Sequence, residues 1–405
     1  MNLGKRIVAL LLIAMLMSAL TACDTKPDTP QDSHLDWVYI QSPVNEGAVT
    51  ENGYYYRYKG VLNYADFATG KSAVLCSKPG CAHKADDEDN PCDADMPFSG
   101  DQMFFENNAL YYLGDENILY SRDATGSSLK EWGMLGKRFI EDGMGIIAIP
   151  LALCNGYLYY EGYIIDIKKT NGVLSTSDAT SRCISRYNIA QQKDEILILL
   201  EDIGYYESIE PYAARENGLI YLYAEGLDPE QDWENVDAKK RLEARKKTLV
   251  HIKHLNLITG ETTTILTAAY GDVSSVSSVE NGKLFYSKGL NDGINTREVH
   301  SYDLVTGKDT VVYTNVSPTS LGKGYWRCTK WLDAQTAEVR LYDMNAGKEV
   351  SYELKGNIGV MNRSEHGLVV LNFKTGIYSF LSHDSLADGL QEDDLMFLYV
   401  GNWTT

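Results

Sequence analysis

The chain is poor in positive charge, in phenylalanine and in long apolar runs. Lys and Arg number 37 against 56 Asp and Glu, which leaves a formal charge of −19 over 405 residues. A surface that acidic repels phosphate backbones and argues against a nucleic-acid partner. Beyond the N-terminal segment no stretch is long and apolar enough to span a bilayer. A P-loop, a nucleophile elbow and an H-E-x-x-H helix are all missing. The His residues are scattered: His34, His83, His251, His254, His300, His366 and His383. His251 and His254, three apart in the strand-like run VHIKHLNL, fall on opposite faces, which argues against joint metal ligation. Carboxylates are plentiful, but their spacing singles out no catalytic pair. The shortage of Phe, 9 against 28 Tyr, is the informative one. Tyr suits half-buried strands, where the ring packs and the hydroxyl reaches a partner.

At the N-terminus Lys5 and Arg6 precede Ile7 to Leu20, an apolar run of secretory length that is short for a membrane-spanning helix. It ends in Leu20-Thr21-Ala22-Cys23, which resembles a bacterial lipobox. The resemblance implies that residues 1–22 are a lipoprotein signal peptide and that Cys23 carries a diacylglycerol. The mature chain would then sit on the outer face of a bacterial cell membrane. An ordinary signal peptide with an incidental Cys23 is the alternative. Asp24 to Ser33 is polar, so residues 23–34 read as the lipidated Cys and a flexible tether. Residues 35–405 read as one folded body.

A pattern recurs along that body. Turns such as Asn52-Gly53, Asn107-Asn108, Asn155-Gly156, Asn217-Gly218 and Asn281-Gly282 each open an aromatic run. Weaker copies stand at Lys323-Gly324 and His366-Gly367. Most are followed by an Asx, a Thr-Gly turn and a further β-branched run, as in Tyr302-Asp303 through Thr306-Gly307-Lys308. The third copy is degenerate, with Tyr187-Asn188 and then Gln191-Gln192-Lys193. Asx side chains bond backbone N–H groups in tight turns, and Gly accepts the positive φ that those turns require. Each repeat holds about four short strands at the period of a propeller blade. The chain resembles β-propeller domains whose blades carry a YD-x-x-TG-K hairpin. The implied fold is all-β, a propeller of seven blades, with six or eight as alternatives. Asp36 to Gln41 (DWVYIQ) is expected to complete the last blade beside Leu395 to Val400. Three stretches interrupt the pattern. Gly133 to Pro150 has no repeat match, and Ile164 to Thr180 is a polar excursion. Asp228 to Lys247 reads as a surface helix or a disordered charged loop.

One constellation has metal-binding chemistry. Cys76, Cys81, His83 and Cys92 lie within CSKPGCAHKADDEDNPC, a ligand set able to close a tetrahedral zinc site around the Pro79-Gly80 turn. A disulfide staple is the competing reading. It extends to Cys154, Cys183 and Cys328, and Cys154 and Cys183 could face each other across strands. In both cases the role is to hold a long loop. The segment resembles a C-x-K-P-x-C-x-H element of uncharacterised lipoproteins from Gram-positive bacteria, which implies location and fold rather than an activity. The carboxylates Asp86, Asp87, Glu88 and Asp89 are consecutive, as in a solvated loop and unlike a calcium loop. Trp132, Trp233, Trp326 and Trp331 are candidates for stacking on sugars, with core packing as the alternative. The expected function is a membrane-anchored binder of an envelope protein or extracellular ligand, without catalysis. A glycan-active hydrolase or lyase at the channel mouth is the alternative.

Overall fold

A computed structural model describes residues 37–40, 47–85, 89, 91–96, 102–170, 173–176, 181–270, 272–280, 282–289, 297–314, 317–322, 325–331, 337–343, 348–350, 358–364, 366–388 and 395–400. The signal segment, Cys23, the tether and Asp86, Asp87 and Glu88 lie outside these residues. Among the described residues no helix is long and apolar enough to cross a membrane.

After β1 (Val38–Tyr39), seven antiparallel sheets follow in chain order. The first holds β2 (Ala48–Val49), β3 (Gly53–Tyr58), β4 (Val61–Asp66) and β5 (Lys71–Val74). The second holds β6 (Met103–Glu106), β7 (Ala109–Leu113), β8 (Ile118–Asp123) and β9 (Leu129–Met134). After helix α1 (Lys137–Glu141) the third is built from β10 (Met144–Cys154), β11 (Tyr157–Thr170), β13 (Ser181–Asn188) and β14 (Lys193–Leu200). There β12 (Val173–Thr176) extends β11 as a hairpin. The fourth holds β15 (Ser208–Arg215), β16 (Gly218–Ala224), β17 (Leu249–Asn256) and β18 (Thr262–Ala269), with helix α2 (Ala238–Arg245) inserted. The fifth holds β19 (Val273–Glu280), β20 (Lys283–Gly289), β21 (Arg297–Asp303) and β22 (Asp309–Tyr313). The sixth holds β23 (Ser317–Gly322), β24 (Tyr325–Trp331), β25 (Ala337–Asp343) and β26 (Lys348–Val350). The seventh holds β27 (Ile358–Arg363), β28 (Gly367–Asn372), β29 (Ile377–Ser382) and β30 (Met396–Val400), with helix α3 (His383–Asp388) before β30.

The first strands touch in succession from β2 through β6, β10, β15 and β19 to β23, and β27 touches β2. They line a common axis, and an apolar cluster fills each junction between neighbouring sheets. The fold is an all-β β-propeller. Five of the axial strands carry a bulge against their second strand: β10, β15, β19, β23 and β27. A bulge bends the strand and raises its twist, as a crowded axis requires.

Tyrosine hydroxyls tie sheet to sheet. Tyr55 donates to the Ala124 carbonyl at 2.9 Å, Tyr159 to Arg215 at 2.8 Å and Tyr187 to Trp132 at 2.7 Å. Burial pushes all three phenols up to about 12, so they stay protonated as donors. The Tyr excess read from the composition thus has a packing cause.

The N-terminal strand departs from expectation. β1 does not complete the last sheet, where β30 already pairs with β29. Instead Val38 and Tyr39 pair with Ala214 and Ala213 of β15, on the axial side of the fourth sheet, and β1 also lies against β10 and β19. The small side chains Ala213 and Ala214 leave room for it. The ring closes without a shared strand. Phe67 stacks on Phe380 at 3.8 Å, the Ser72 hydroxyl donates to the Leu398 carbonyl, and Asn362 donates to the Gly47 carbonyl.

Alternating strand direction divides the molecule into two faces. Turns joining first to second and third to fourth strands share one end of each sheet, here termed the turn face. The remaining connections share the other end, the loop face. Turn-face hairpins are tight. Asp303 accepts from the N–H groups of Val305 and Thr306, and Gly307 follows at φ 70°. The same arrangement recurs at Asp66 with Gly70, Asp123 with Gly126 and Asn256 with Gly260. In the degenerate third copy Asn188 still accepts from Gln191, but Gln192 takes the left-handed position at φ 53°. A side chain there costs about 1 kcal/mol that Gly avoids. Gln192→Gly should therefore stabilise the protein by about 0.5–1 kcal/mol. That would be read as a higher urea midpoint at unchanged slope; an unchanged or lower midpoint would show that the Gln192 side chain has compensating contacts.

Candidate metal centre

The long connection from β5 to β6 returns across the loop face between the first and second sheets. Gly80 at φ 73° and His83 at φ 53° turn it back on itself. Cys81 donates its N–H to the Lys78 carbonyl, and the Lys78 ammonium holds the Pro91 carbonyl at 2.8 Å. The result brings together all four residues that sequence spacing singled out. The ligand atoms of Cys76, Cys81, His83 and Cys92 lie within 4.8 Å of one another. In a tetrahedral zinc site, sulfurs about 2.3 Å from the metal stand about 3.8 Å apart, so the cluster needs only a small contraction.

Backbone amides already serve the sulfurs as they would serve thiolates. The His83 N–H points at Cys81 Sγ at 3.4 Å. Burial alone would push the Cys76 thiol up. The N–H groups of Lys78 and Asp93 and the neighbouring Cys81 and Cys92 thiols instead bring it down to about 7. Burial, with Cys81 and Cys76 alongside, pushes Cys92 up. A divalent cation bound by such a set displaces the thiol protons that remain. Three soft sulfurs and an imidazole could hold a metal such as zinc. No disulfide joins Cys76, Cys81 and Cys92 to one another in this structure.

The loop continues into the core. Leu62 donates to the Ala94 carbonyl and Met96 to the Gly60 carbonyl, while Ala94 and Met96 are fully buried. Gly60, at φ 79°, has no room for a side chain, because a Cβ there would stand 2.4 Å from that of Ala85. Arg122 of β8 holds the segment from the second sheet. Its guanidinium donates to the carbonyls of Asp93, Asp95 and Gly126 and to the Tyr112 hydroxyl. Asp93 thus gives its N–H to a cysteine sulfur and its carbonyl to Arg122. Sequence reading missed Arg122. The signal lay in the repeat: the residue before each hairpin Asx is Ala65, Tyr187, Leu255, Tyr302 or Tyr342, and only here is it charged.

Other candidates disperse. Cys154 stands opposite Tyr157 and Cys183 opposite Gly162, five positions apart along β11 and in different core clusters, so they do not face each other. The β11 strand presents alternate faces to two junctions, which separates them. Cys328 and Trp331 belong to β24. Trp326 is a fully buried core residue against Phe285, and its burial rules out sugar stacking. Trp132 donates to the Ser121 hydroxyl, and Trp233 donates to the Asp228 carbonyl. His251 stacks on Tyr223 and bonds Glu225, whereas His254 packs on Trp37. His300 lies between Asp309 at 3.0 Å and Glu298 at 3.3 Å, on opposite ring nitrogens, a bridge and not a chelate.

A scan against family models finds no match, and neither does a search of curated proteins. Among solved structures, a puromycin-hydrolyzing peptidase of Mycobacterium tuberculosis aligns with a TM-score of 0.51 at 9% identity. The alignment covers 87% of this chain and 55% of that one, so this chain spans about half the peptidase's length. An oligogalacturonate lyase in complex with manganese aligns with a TM-score of 0.48 at 11% identity, over 88% of this chain and 89% of that one. An oligogalacturonate lyase from Vibrio parahaemolyticus aligns with a TM-score of 0.47 at 10% identity, over 86% and 88%. At such identities the likeness concerns fold alone.

Two outcomes follow from the geometry. Protein purified without chelator should carry about one zinc per chain by elemental analysis, and Cys81→Ser should lose both the zinc and part of the thermal stability. Wild-type protein that has no metal and few titratable thiols would favour the disulfide staple. Arg122→Lys, which keeps the charge but cannot span four acceptors, should raise the zinc dissociation constant about tenfold or more. Unchanged affinity would uncouple Arg122 from the centre.

Proposed function

We propose that the chain is a lipoprotein of the outer face of a bacterial membrane, anchored at Cys23. Its propeller is a non-catalytic binding module for an envelope protein or extracellular ligand. Each of the seven sheets is read as one blade. The cluster at Cys76, Cys81, His83 and Cys92 is read as a structural zinc site, because a Cys3His set leaves no open position for a substrate.

The observation that carries the binding reading is the segregation of irregular segments. The Cys-rich connection, α1, the β11–β12 hairpin and the α2 insertion all belong to the loop face. The turn face is made of repeat hairpins, with α3 as its one described helix; there the His383 ring donates to the Leu321 carbonyl. Variable loops gathered on one rigid end form the usual place for recognition. The α2 insertion is pinned for that role. Asp237 caps the helix by accepting from Lys239, Arg245 lies over the Tyr206 and Tyr270 rings, and Arg241 donates to the Tyr205 hydroxyl.

The test uses the full chain in detergent with isolated host envelopes. Loop-face variants Glu116→Lys and Lys239→Glu/Lys246→Glu should weaken binding about tenfold, by the loss of well-placed charges. Turn-face variants Ala68→Arg and Ala190→Arg should leave it within about twofold of wild type. The opposite pattern would overturn the loop-face assignment. Release of new sugar ends from envelope glycan would replace the binder with the glycan-active enzyme.

A further inference from the structure

Ile258 and Val305 have 73% and 67% of their surface exposed, more than any other large apolar residue among those described. They occupy the same place in the repeat, two residues after the hairpin Asx, on the neighbouring fourth and fifth sheets. Each gives its N–H to that Asx side chain, so the backbone is satisfied and the aliphatic group projects from a rigid tip. The equivalent turn-face residues of the first three sheets are Ala68, Thr125 and Ala190. Large apolar tips are therefore confined to one sector of the turn face, among these five sheets.

β1 begins in that sector. It runs antiparallel to β15, and Val38 faces Ala214, so Trp37 stands level with Arg215 and the turn into β16. There the Arg215 guanidinium covers the Trp37 ring at 4.6 Å and His254 meets it edge-on. The chain that precedes Trp37 joins the body at the turn face of the fourth sheet. On the lipoprotein reading, 13 residues, 24–36, lie between Cys23 and Trp37. A flexible chain of that length spans about 20 Å on average. The joining sector is then the part of the body held nearest the acyl chains. Lys283 stands opposite Asp303 at the base of the Val305 hairpin, and Lys308 follows its closing Gly307.

We propose that the Ile258–Val305 sector of the turn face rests on the lipid surface, its two tips entering the headgroup layer. The loop face, with the metal centre and α2, is thereby turned away from the membrane toward external partners. This rests on the lipoprotein reading of Cys23, and the test separates the two.

The acylated full chain is incorporated in vesicles of phosphatidylcholine and phosphatidylglycerol doped with a lipid bearing a diazirine close to its headgroup. Irradiation and peptide mapping then report which face meets lipid. Adducts at residues 256–261 and 303–308 should exceed those at residues 238–245 by about tenfold. Ile258→Asp/Val305→Asp should lower the turn adducts by a similar factor while the protein still floats with the vesicles. Adducts concentrated on α2 or spread evenly over an acylated, vesicle-bound chain would overturn the orientation and leave the anchor standing. A chain whose intact mass shows no acyl group and which does not float would overturn the lipoprotein reading, and this proposal with it.

Discussion

A tyrosine ring buried between two sheets, with its hydroxyl on a backbone carbonyl of the neighbour, is the contact on which this ring depends. Sheets in a propeller share no hydrogen-bonded ladder, so each junction has to be built from side chains. Phe would fill the same space but leave a half-buried carbonyl without its donor, forfeiting a bond worth about 0.5–1.5 kcal/mol. Tyr55, Tyr159 and Tyr187 bury the ring and satisfy the carbonyl together. Where strand exchange was expected, the ring likewise closes through side chains, with Phe67 on Phe380 and the Ser72 and Asn362 bonds to the carbonyls of Leu398 and Gly47.

The junction between the first and second sheets adds a second device to the Tyr55 bond. Its wedge is the Cys-rich connection, whose Ala94 and Met96 are as buried as any strand residue. A loop placed there has carbonyls to satisfy, and Arg122 satisfies two of them, at Asp93 and Asp95. The cysteines and His83 close the loop at its outer end. The candidate metal ligands and the sheet packing therefore share one segment. That supports a structural role over a catalytic one: a site whose ligands hold a wedge in place has little freedom to exchange them.

Topology then assigns roles to the two faces. Among the described residues the turn face is built of short hairpins, apart from α3, and Ile258 and Val305 are its most exposed aliphatic tips. Insertions survive where no such turn is required. β1 passes along the axial side of β15 and occupies part of the axis that a ligand would otherwise use. On the proposed binding reading, a partner would therefore be met on the loop face and not in the channel.

The repeat was legible in the sequence because hairpin chemistry is local: Asp66, Asp123, Asn256 and Asp303 bond N–H groups two or three residues away, and their glycines answer a local φ. The ligand set was legible for the same reason, since Cys76 to Cys92 lie within one short segment. Fold class and candidate centre thus followed from spacing alone. Long-range pairing could not follow. β1 carries the β-branched and aromatic pattern of any strand, and nothing in DWVYIQ distinguishes the edge of the last sheet from the inner edge of the fourth. Only the small residues of β15, brought beside the axis by the ring, decide it. Arg122 likewise reads as one more hairpin residue until the fold places three backbone carbonyls within its reach.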